Sequence, residues 1–587
     1  MRVPIQLPPG LIGDDTSAVA TGRYYDADKT RFWRGQPQTI GGWERLTTTA
    51  LTGVCRGLFV WTDNDGAITI AFGTHSALQV WRDGDLATIT PYRPPEALTG
   101  PFAMTNGSAV VTVTHNSHGM ATANQVTFSG ASAAGGITIS GTYSITYVSA
   151  NSYTITHVSA ATSTTTGGGT VTAQVLLDLL SGNIDGTGGT GYGTGTYSTG
   201  TYSAPSTTEY YPRTWSLAAW GENLLASPRG GTVYKWANVM ATRAAIVTAA
   251  PDTIQYMLVT PQRQVLALGC NEEVSGTYNP LCIRWCDIED LDDWTTSPAN
   301  NAGEYILAGG GRIVAGRVTA YGTFIWTDNA LYQATYLGDP GQTYQFDQIG
   351  KNCGLIGPNA AVVVGQTAFW LAPDGQFYSC TLGGAPQPMV SPIGVELFSH
   401  LTAAQKDKVY ASSTSSFAEI RWDYPDDRDG VENSRYVAVN TLDGAWTRGE
   451  MVRTAMTDSG PGPYPVGVSY AGAVYWHERG QSDDGAAFAA SIETADQSIS
   501  EDELMMIQTC WPDFKDQVGA VSLEIITRMY PQGEETTHGP WSMIPGKTKV
   551  DLRATGRIAR LRLSSNSGPT YWRLGKPSFE VTPAGQR

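Results

Sequence analysis

Phe59-Val60-Trp61-Thr62-Asp63-Asn64 recurs almost unchanged as Phe324-Ile325-Trp326-Thr327-Asp328-Asn329. In both copies a β-branched and aromatic run breaks at an Asp-Asn turn. A second run ending in aromatics follows, Leu78-Gln79-Val80-Trp81 in one case and Leu331-Tyr332 in the other. Apolar runs of this length between polar turns are strand signals. The same order appears at 369–378 (FWLAPDGQFY) and at 224–236, where Leu224-Leu225-Ala226 leads to Tyr234-Lys235-Trp236. A looser copy surrounds Gly472 at 468–476. Measured on the second-run aromatics, Trp236, Trp285, Tyr332 and Tyr378 are spaced by 49, 47 and 46 residues. A strand-and-turn period in the forties marks propeller blades, each a four-stranded sheet that must stack on its neighbours to bury its faces. Counting Trp81, Trp236, Trp285, Tyr332, Tyr378, Trp446 and Trp476 predicts a mainly β chain built on a β-propeller of six or seven blades. The alternative is a set of unrelated hairpins in a sandwich.

Further strands fit this reading, at 67–73 (AITIAFG), 361–364 (AVVV) and 556–563 (GRIARLRL). In the last, Ala559, Leu561 and Leu563 share one face and Arg560 and Arg562 the other, the period-2 pattern of a half-buried strand. Helix signals are few: one or two turns each at 401–408 and 502–507. Two segments break the period. Residues 106–172 read as a small inserted β-module of about five strands. Residues 173–210 follow as a Gly/Thr/Tyr-rich loop carrying Tyr192, Tyr197 and Tyr202 at five-residue steps. The division is then 1–50, an N-terminal platform segment; 51–105, a first blade region; 106–172, the insert; 173–210, the loop; 211–500, the remaining blades; and 501–587, a C-terminal platform β-domain. Both end segments set Arg beside aromatics, as in Arg31-Phe32-Trp33-Arg34-Gly35 and Tyr571-Trp572-Arg573, a composition enriched at protein contacts. The two ends are therefore expected to meet in one β-rich platform.

Composition narrows the function classes. The 587 residues carry 53 Asp and Glu against 37 Lys and Arg, a net charge of −16. That balance argues against a dedicated nucleic-acid binder, whose affinity comes from neutralising phosphates. It allows DNA to pass by, because an acidic wall repels phosphate. With 41% hydrophobic and 10% aromatic residues the chain is no disordered polyampholyte. No apolar run reaches the ~20 residues of a membrane span, and no signal peptide is expected at the start. The seven cysteines (55, 270, 282, 286, 353, 380 and 510) are odd in number and scattered, which fits a reduced protein made in the cytoplasm.

The search for chemistry yields no catalytic set, cofactor motif or metal site. Thr441-Leu442-Asp443-Gly444-Ala445-Trp446 fails the spacing of a sialidase Asp-box and reads as a hairpin turn. No nucleophile elbow, HExxH or phosphate-binding loop is present. Cys282-x3-Cys286 lacks zinc spacing. The acidic turn of Asp423, Asp426, Asp427, Asp429 and Glu432 does not meet EF-hand spacing, and the acidic run 287–293 reads as a solvated face. His115, His118 and His157 lie in an insert without Cys, Asp or Glu, so surface or turn positions are expected.

Leu7-Pro8-Pro9-Gly10, the stretch from Arg31 to Pro37, Ile40-Gly41-Gly42-Trp43, Gly191-Tyr192-Gly193-Thr194-Gly195 and 215–226 (WSLAAWGENLLA) are similar to tail proteins of short-tailed bacteriophages. The insert resembles a β-module that recurs in phage virion proteins. The family suggested is the tail nozzle, or tail tubular protein B. The resemblance implies a structural, non-enzymatic protein of the virion tail, made in the host cytoplasm. It implies a homohexameric ring below the tail adaptor, a lumen through which genomic DNA passes without specific binding, and flanks that dock tail fibres or spikes. Arg31, Trp33, Trp43, Arg560, Arg562 and Trp572 are the subunit-contact residues expected on that reading, and steric closure of the exit falls to loops such as 181–208. The alternatives are a carbohydrate-binding or carbohydrate-cleaving receptor propeller, and a trimeric tail hub or fibre protein.

Overall fold

The computed structural model describes residues 1–120, 122, 124–176, 181–187, 210–339, 342–498 and 503–585. Seven antiparallel sheets of four strands follow one another along the chain, with first strands Cys55–Thr62, Trp215–Trp220, Ile254–Val259, Ile313–Val318, Ala361–Val364, Tyr410–Thr414 and Ala455–Thr457. Each first strand packs on the next, and the seventh packs on the first, so the sheets close into a propeller-like ring. The first six sheets take all four strands from consecutive sequence. The seventh takes its outer strand, Trp43–Arg45, from the start of the chain: Tyr475, Trp476 and His477 pair with Arg45, Glu44 and Trp43.

Packing between sheets explains the sequence pattern. A second strand has a sheet on each face, so Val265–Asn271 and Thr323–Thr327 are apolar and buried almost throughout. Fourth strands lie at the rim and turn polar or exposed, as in Gly303–Ile306 and Gln387–Met389. Aromatic wedges fill the space between neighbours. Trp61 meets Trp236 edge-on at 6.5 Å, Trp326 meets Trp370 at 5.5 Å, and Phe377 meets Trp422 at 4.8 Å. Six of the seven marker aromatics stand on third strands; Trp446 stands on the fourth strand of its sheet, where Tyr436 occupies the third. The near-verbatim repeat is not a structural equivalence. Phe59 to Thr62 belong to a first strand, Phe324 to Thr327 to a second. The true counterpart of Thr327 is Thr74: each hydroxyl accepts the amide of the alanine three residues on, Ala77 at 2.8 Å and Ala330 at 2.9 Å. Both strands are buried and end at a polar turn, so composition alone does not separate them.

The ends of the chain do meet. Arg2–Pro4 pairs with Ser578–Pro583, Tyr24–Asp28 with Phe488–Thr494, and Gln36–Thr39 with Tyr571–Leu574, within three terminal sheets. The expected boundaries shift accordingly. Trp43–Arg45, placed in the N-terminal segment, completes the ring, whereas Phe488–Thr494, placed among the blades, lies in a terminal sheet. The expected turn of helix at 502–507 is replaced by the strand Met505–Trp511, because Met505, Ile507 and Thr509 alternate into the terminal core. The expected turns at 401–408 are present as the 3-10 helix Ala403–Lys408, and a further short helix, Gly394–His400, precedes them. No described helix is long and apolar enough to cross a membrane.

The insert is larger than expected. It is a sandwich of two sheets and nine strands running from Glu96–Thr99 to Thr170–Leu176, around its own core of Phe102, Val111, Phe128, Tyr153 and neighbours. Its entry and exit strands pair with each other, Glu96 opposite Ala173, so its two ends leave side by side. Replacing 96–176 by a short Gly-Ser bridge should therefore leave the ring's main thermal transition in place and remove a separate one, since closing a short loop costs little. Calorimetry showing loss of the ring transition would contradict this. The expected loop 173–210 lies largely outside the described residues, Tyr192, Tyr197 and Tyr202 included.

Candidate functional site

The six residues expected at subunit contacts occupy different settings. Arg31, in Thr30–Trp33, is buried; its Nη1 and Nη2 donate to the two carboxylate oxygens of Glu478 (3.0 and 2.6 Å), and Nη2 lies 3.1 Å from Glu419. Its guanidinium also stands 3.9 Å over Phe417, against which Trp33 packs edge-on. Trp43 is buried against Phe488 and His477, with Nε1 donating to Asp483. Trp572 is fully buried, and its Nε1 donates to Ser565 Oγ at 3.1 Å. Arg560 reaches Glu493 and Glu535, and Arg562 reaches Glu493 at 2.6 Å with its side chain 44% exposed. Arg31, Trp43 and Trp572 are thus interior residues, whereas Trp33 and Arg560 are partly exposed and Arg562 is the most exposed of the six. The Arg-aromatic composition of the ends serves the joint within the chain. Ile40-Gly41-Gly42-Trp43 fits it closely: a Cβ on Gly41 would lie 2.6 Å from the Cα of Glu478.

That joint is an ionic seam shared by the terminal sheets and the sixth and seventh sheets of the ring. Burial alone would lower the Arg31 guanidinium, but Glu419 and Glu478 outweigh it and hold it charged. Burial pushes the Glu419 carboxyl above its ordinary value against the pull of Arg31, and does the same to Asp423 against Arg421. Arg453 donates through Nε to His477 Nε2 at 2.9 Å. Burial, with Arg421 beside it, lowers Arg453 to about 10. Burial, then Arg453, Arg421 and Arg31, holds His477 well below its ordinary 6.5. His477 is therefore neutral when folded. Below about pH 6.5 the unfolded chain binds a proton that the folded chain refuses, so stability falls as acid is added, by up to about 1.4 kcal/mol per pH unit. Glu419 and Asp423 act in the opposite sense, because the folded state keeps protons that the unfolded state has released. The effect of His477 is isolated by comparing urea midpoints of wild type and His477→Gln at pH 7 and pH 5.5; the variant should show the shallower loss. Equal losses would refute it.

The middle of the ring is bridged by side chains. Arg317 Nη1 donates to Tyr256 Oη at 2.6 Å, and its Nε and Nη2 donate to the carbonyls of Ala361 and Pro358 (2.9 and 3.0 Å). Asn359, at the head of the fifth sheet, donates to the Arg56 carbonyl in the first at 2.9 Å. Residues 181–187 and the approach to the second sheet lie over this region. Arg56 grips Glu432 (3.0 and 2.6 Å) and the Ile184 carbonyl, and Lys408 reaches Asp185 at 2.7 Å. Burial opposes ionisation of Glu432, but Arg56 and Lys408 outweigh it and hold its carboxyl below the usual range.

The remaining sequence candidates are also accounted for by local partners. In the acidic turn, Asp423 is held by Arg421, Asp426 by Arg428 (2.8 and 2.7 Å), Asp427 by His400 (3.0 Å) and Asp429 by Arg435 (2.7 Å). His400, Asp426 and Asp427 are close enough to share a cation. A metal there would have to displace the Arg428 guanidinium from Asp426. The seven cysteines are buried free thiols, with Cys270 and Cys282 sulfurs 3.9 Å apart. Burial pushes the Cys286 and Cys55 thiols up to about 12. His115 and His118, expected at the surface, are buried; His115 Nε2 meets Glu96 at 3.0 Å, a carboxylate just outside the expected insert boundary. Sequence reasoning also missed three arginines that line one cleft, Arg93, Arg213 and Arg229. They are scattered along the chain, and the only local signal is the break Pro91-Tyr92-Arg93-Pro94-Pro95.

No protein-family model matches the chain, and no curated protein matches it. Among solved structures, it is similar to the computationally designed Ika8 protein, at 12% identity over 74% of this chain and 100% of that one, with a TM-score of 0.33. It is similar to BamB from Moraxella catarrhalis at 14% identity over 49% of this chain and 82% of that one, with a TM-score of 0.27. Raptor from Chaetomium thermophilum matches at 8% identity over 75% of this chain and 29% of that one, with a TM-score of 0.35. Likenesses this distant carry no functional argument.

Proposed function

We propose that the chain is a non-enzymatic structural subunit of a short-tailed phage tail, of the nozzle type, with the seven sheets forming a seven-bladed propeller. Six copies make a ring below the tail adaptor, and tail fibres or spikes dock on its flanks. The observation that carries the reading is the interlacing of the N- and C-terminal strands into shared sheets welded to the ring by buried ion pairs. Such a joint makes one rigid brick with a terminal face for attachment. The Asn359 bond across the ring, with the Arg317 bonds between neighbouring sheets beside it, leaves DNA a path between subunits, not through one. The charge of −16 supports a weakly adhesive lumen, since few counterions are displaced from passing DNA. With Arg31, Trp43 and Trp572 interior, subunit contacts fall to Arg562, Trp33 and the exposed apolar side chains of Met529, Tyr530 and Ile544.

Native mass measurement tests the assembly. The expected species, alone or on its adaptor, has six times the 62.7 kDa of one chain. A monomer that persists at high concentration and in the presence of adaptor would overturn the proposal, and a trimer would favour a hub or fibre role.

A further inference from the structure

A cleft of about 270 Å³ lies where the chain leaves the first sheet for the insert. One wall is the linker at 91–94; the other is the hairpin between the second and third strands of the second sheet. Arg93, Arg213 and Arg229 line it together with Tyr92, Tyr234 and the backbone of Gly230. Three arginines lining one concavity are unusual in a chain with 16 excess negative charges.

The walls are built and held. Arg243 Nη1 donates to the Thr90 carbonyl at 3.0 Å, and its guanidinium stands 4.3 Å over Tyr92, fixing the linker to the ring. Arg93 donates through Nη1 to the His118 carbonyl at 2.8 Å and accepts at its own carbonyl from Gln174, which ties it to the insert. Arg229 donates through Nε to Gln255 at 3.2 Å and through Nη1 to Asp407 at 3.1 Å. A guanidinium has five N–H donors, so these bonds orient Arg93 and Arg229 without exhausting them. Among the described residues, Asp407 pairs with Arg229 and Glu96 lies 3.6 Å from Arg93.

We propose that this cleft binds the oxyanion group, phosphate or carboxylate, of a small ligand the size of one sugar ring. Planar guanidinium forks match both oxyanions through paired hydrogen bonds. Tyr92 and Tyr234 supply aromatic surface beside the charge, and Gly230 lets backbone approach the ligand. The ligand would sit between the second sheet and the linker that carries the insert, so occupancy braces that linker against the ring. The site goes beyond the nozzle reading and does not depend on ring assembly.

Isothermal titration of the full chain at low ionic strength tests it, with inorganic phosphate, glucose 6-phosphate and glucuronate as probes and glucose as the neutral control. Glucose 6-phosphate or glucuronate should bind, glucose should not, and the relative affinities of the two anions identify the preferred oxyanion. Arg93→Gln, on a partly exposed side chain, should weaken binding about tenfold or more, the worth of a hydrogen bond to a charged group. Arg263→Gln, at an exposed pair with Glu289 in the third sheet, should leave it unchanged. Binding should weaken as salt is added. Absence of binding by all three anions would overturn the proposal. So would equal binding of glucose, or unchanged affinity in a folded Arg93→Gln chain.

Discussion

Arg31→Ala will destabilise the chain by about 3–5 kcal/mol, the cost of removing one partner from a buried ionic group. The truncation leaves Glu419 and Glu478 inside the protein without their shared cation. Glu419 is already pushed toward its protonated form by burial, and losing Arg31 removes the charge that opposes this, so it should take up a proton more readily. The cost should therefore shrink in mild acid. Arg31→Met with Glu419→Gln and Glu478→Gln should recover part of the loss, because no uncompensated charge then remains. Denaturant midpoints of the three proteins, at neutral pH and in mild acid, measure both statements. A cost for Arg31→Ala below about 1 kcal/mol, the range of surface pairs, would show that the seam is solvated and does not hold the ends to the ring.

Removal of residues 1–45 should abolish folding of the remaining chain. The deletion strips the outer strand from the seventh sheet and takes strands from all three terminal sheets. It exposes the apolar surfaces that Trp43, Phe32 and Tyr24 cover, each aromatic worth about 2–3 kcal/mol in burial. It also removes Arg31. Together these losses are as large as the ~5–15 kcal/mol margin of a typical folded domain, before the lost strand pairings are counted. Soluble yield and far-ultraviolet circular dichroism would report the outcome. Supplying 1–45 as a separate peptide during refolding should restore some soluble protein. A truncated chain that kept a cooperative transition at the full-length temperature would mean that the ring closes without Trp43–Arg45.

Much of the ring was legible because a second and third strand with a tight turn leave a local signature. Leu224-Leu225-Ala226 and Phe369-Trp370-Leu371 announce buried strands wherever they stand. Strand order within a sheet is less visible: the Asp-Asn turn after Trp61 and the one after Trp326 look alike, although one follows a first strand and the other a second. Rim strands such as Asp85–Thr88 and Ala245–Ile246 are short and half exposed, so they lack an alternating pattern. The two ends were expected to meet, and they do, but the side their Arg and aromatic residues face is set by Glu419 and Glu478, whose separation from Arg31 leaves no local trace. The same holds for the cleft arginines. They come from a linker, a ring approach and a hairpin, and only the fold gathers them.

The borrowed strand at the start of the chain has a kinetic consequence. Trp43 emerges from the ribosome long before Asp483, 440 residues later. At translation rates of about 5–20 residues per second, the first 45 residues wait roughly half a minute to a minute and a half for their partners. The nascent chain cannot shut its circle in that time, so closure comes late and the waiting aromatics are exposed to chaperones or to other copies of the chain. Crowded polysomes are then the place where strand exchange between copies is most expected.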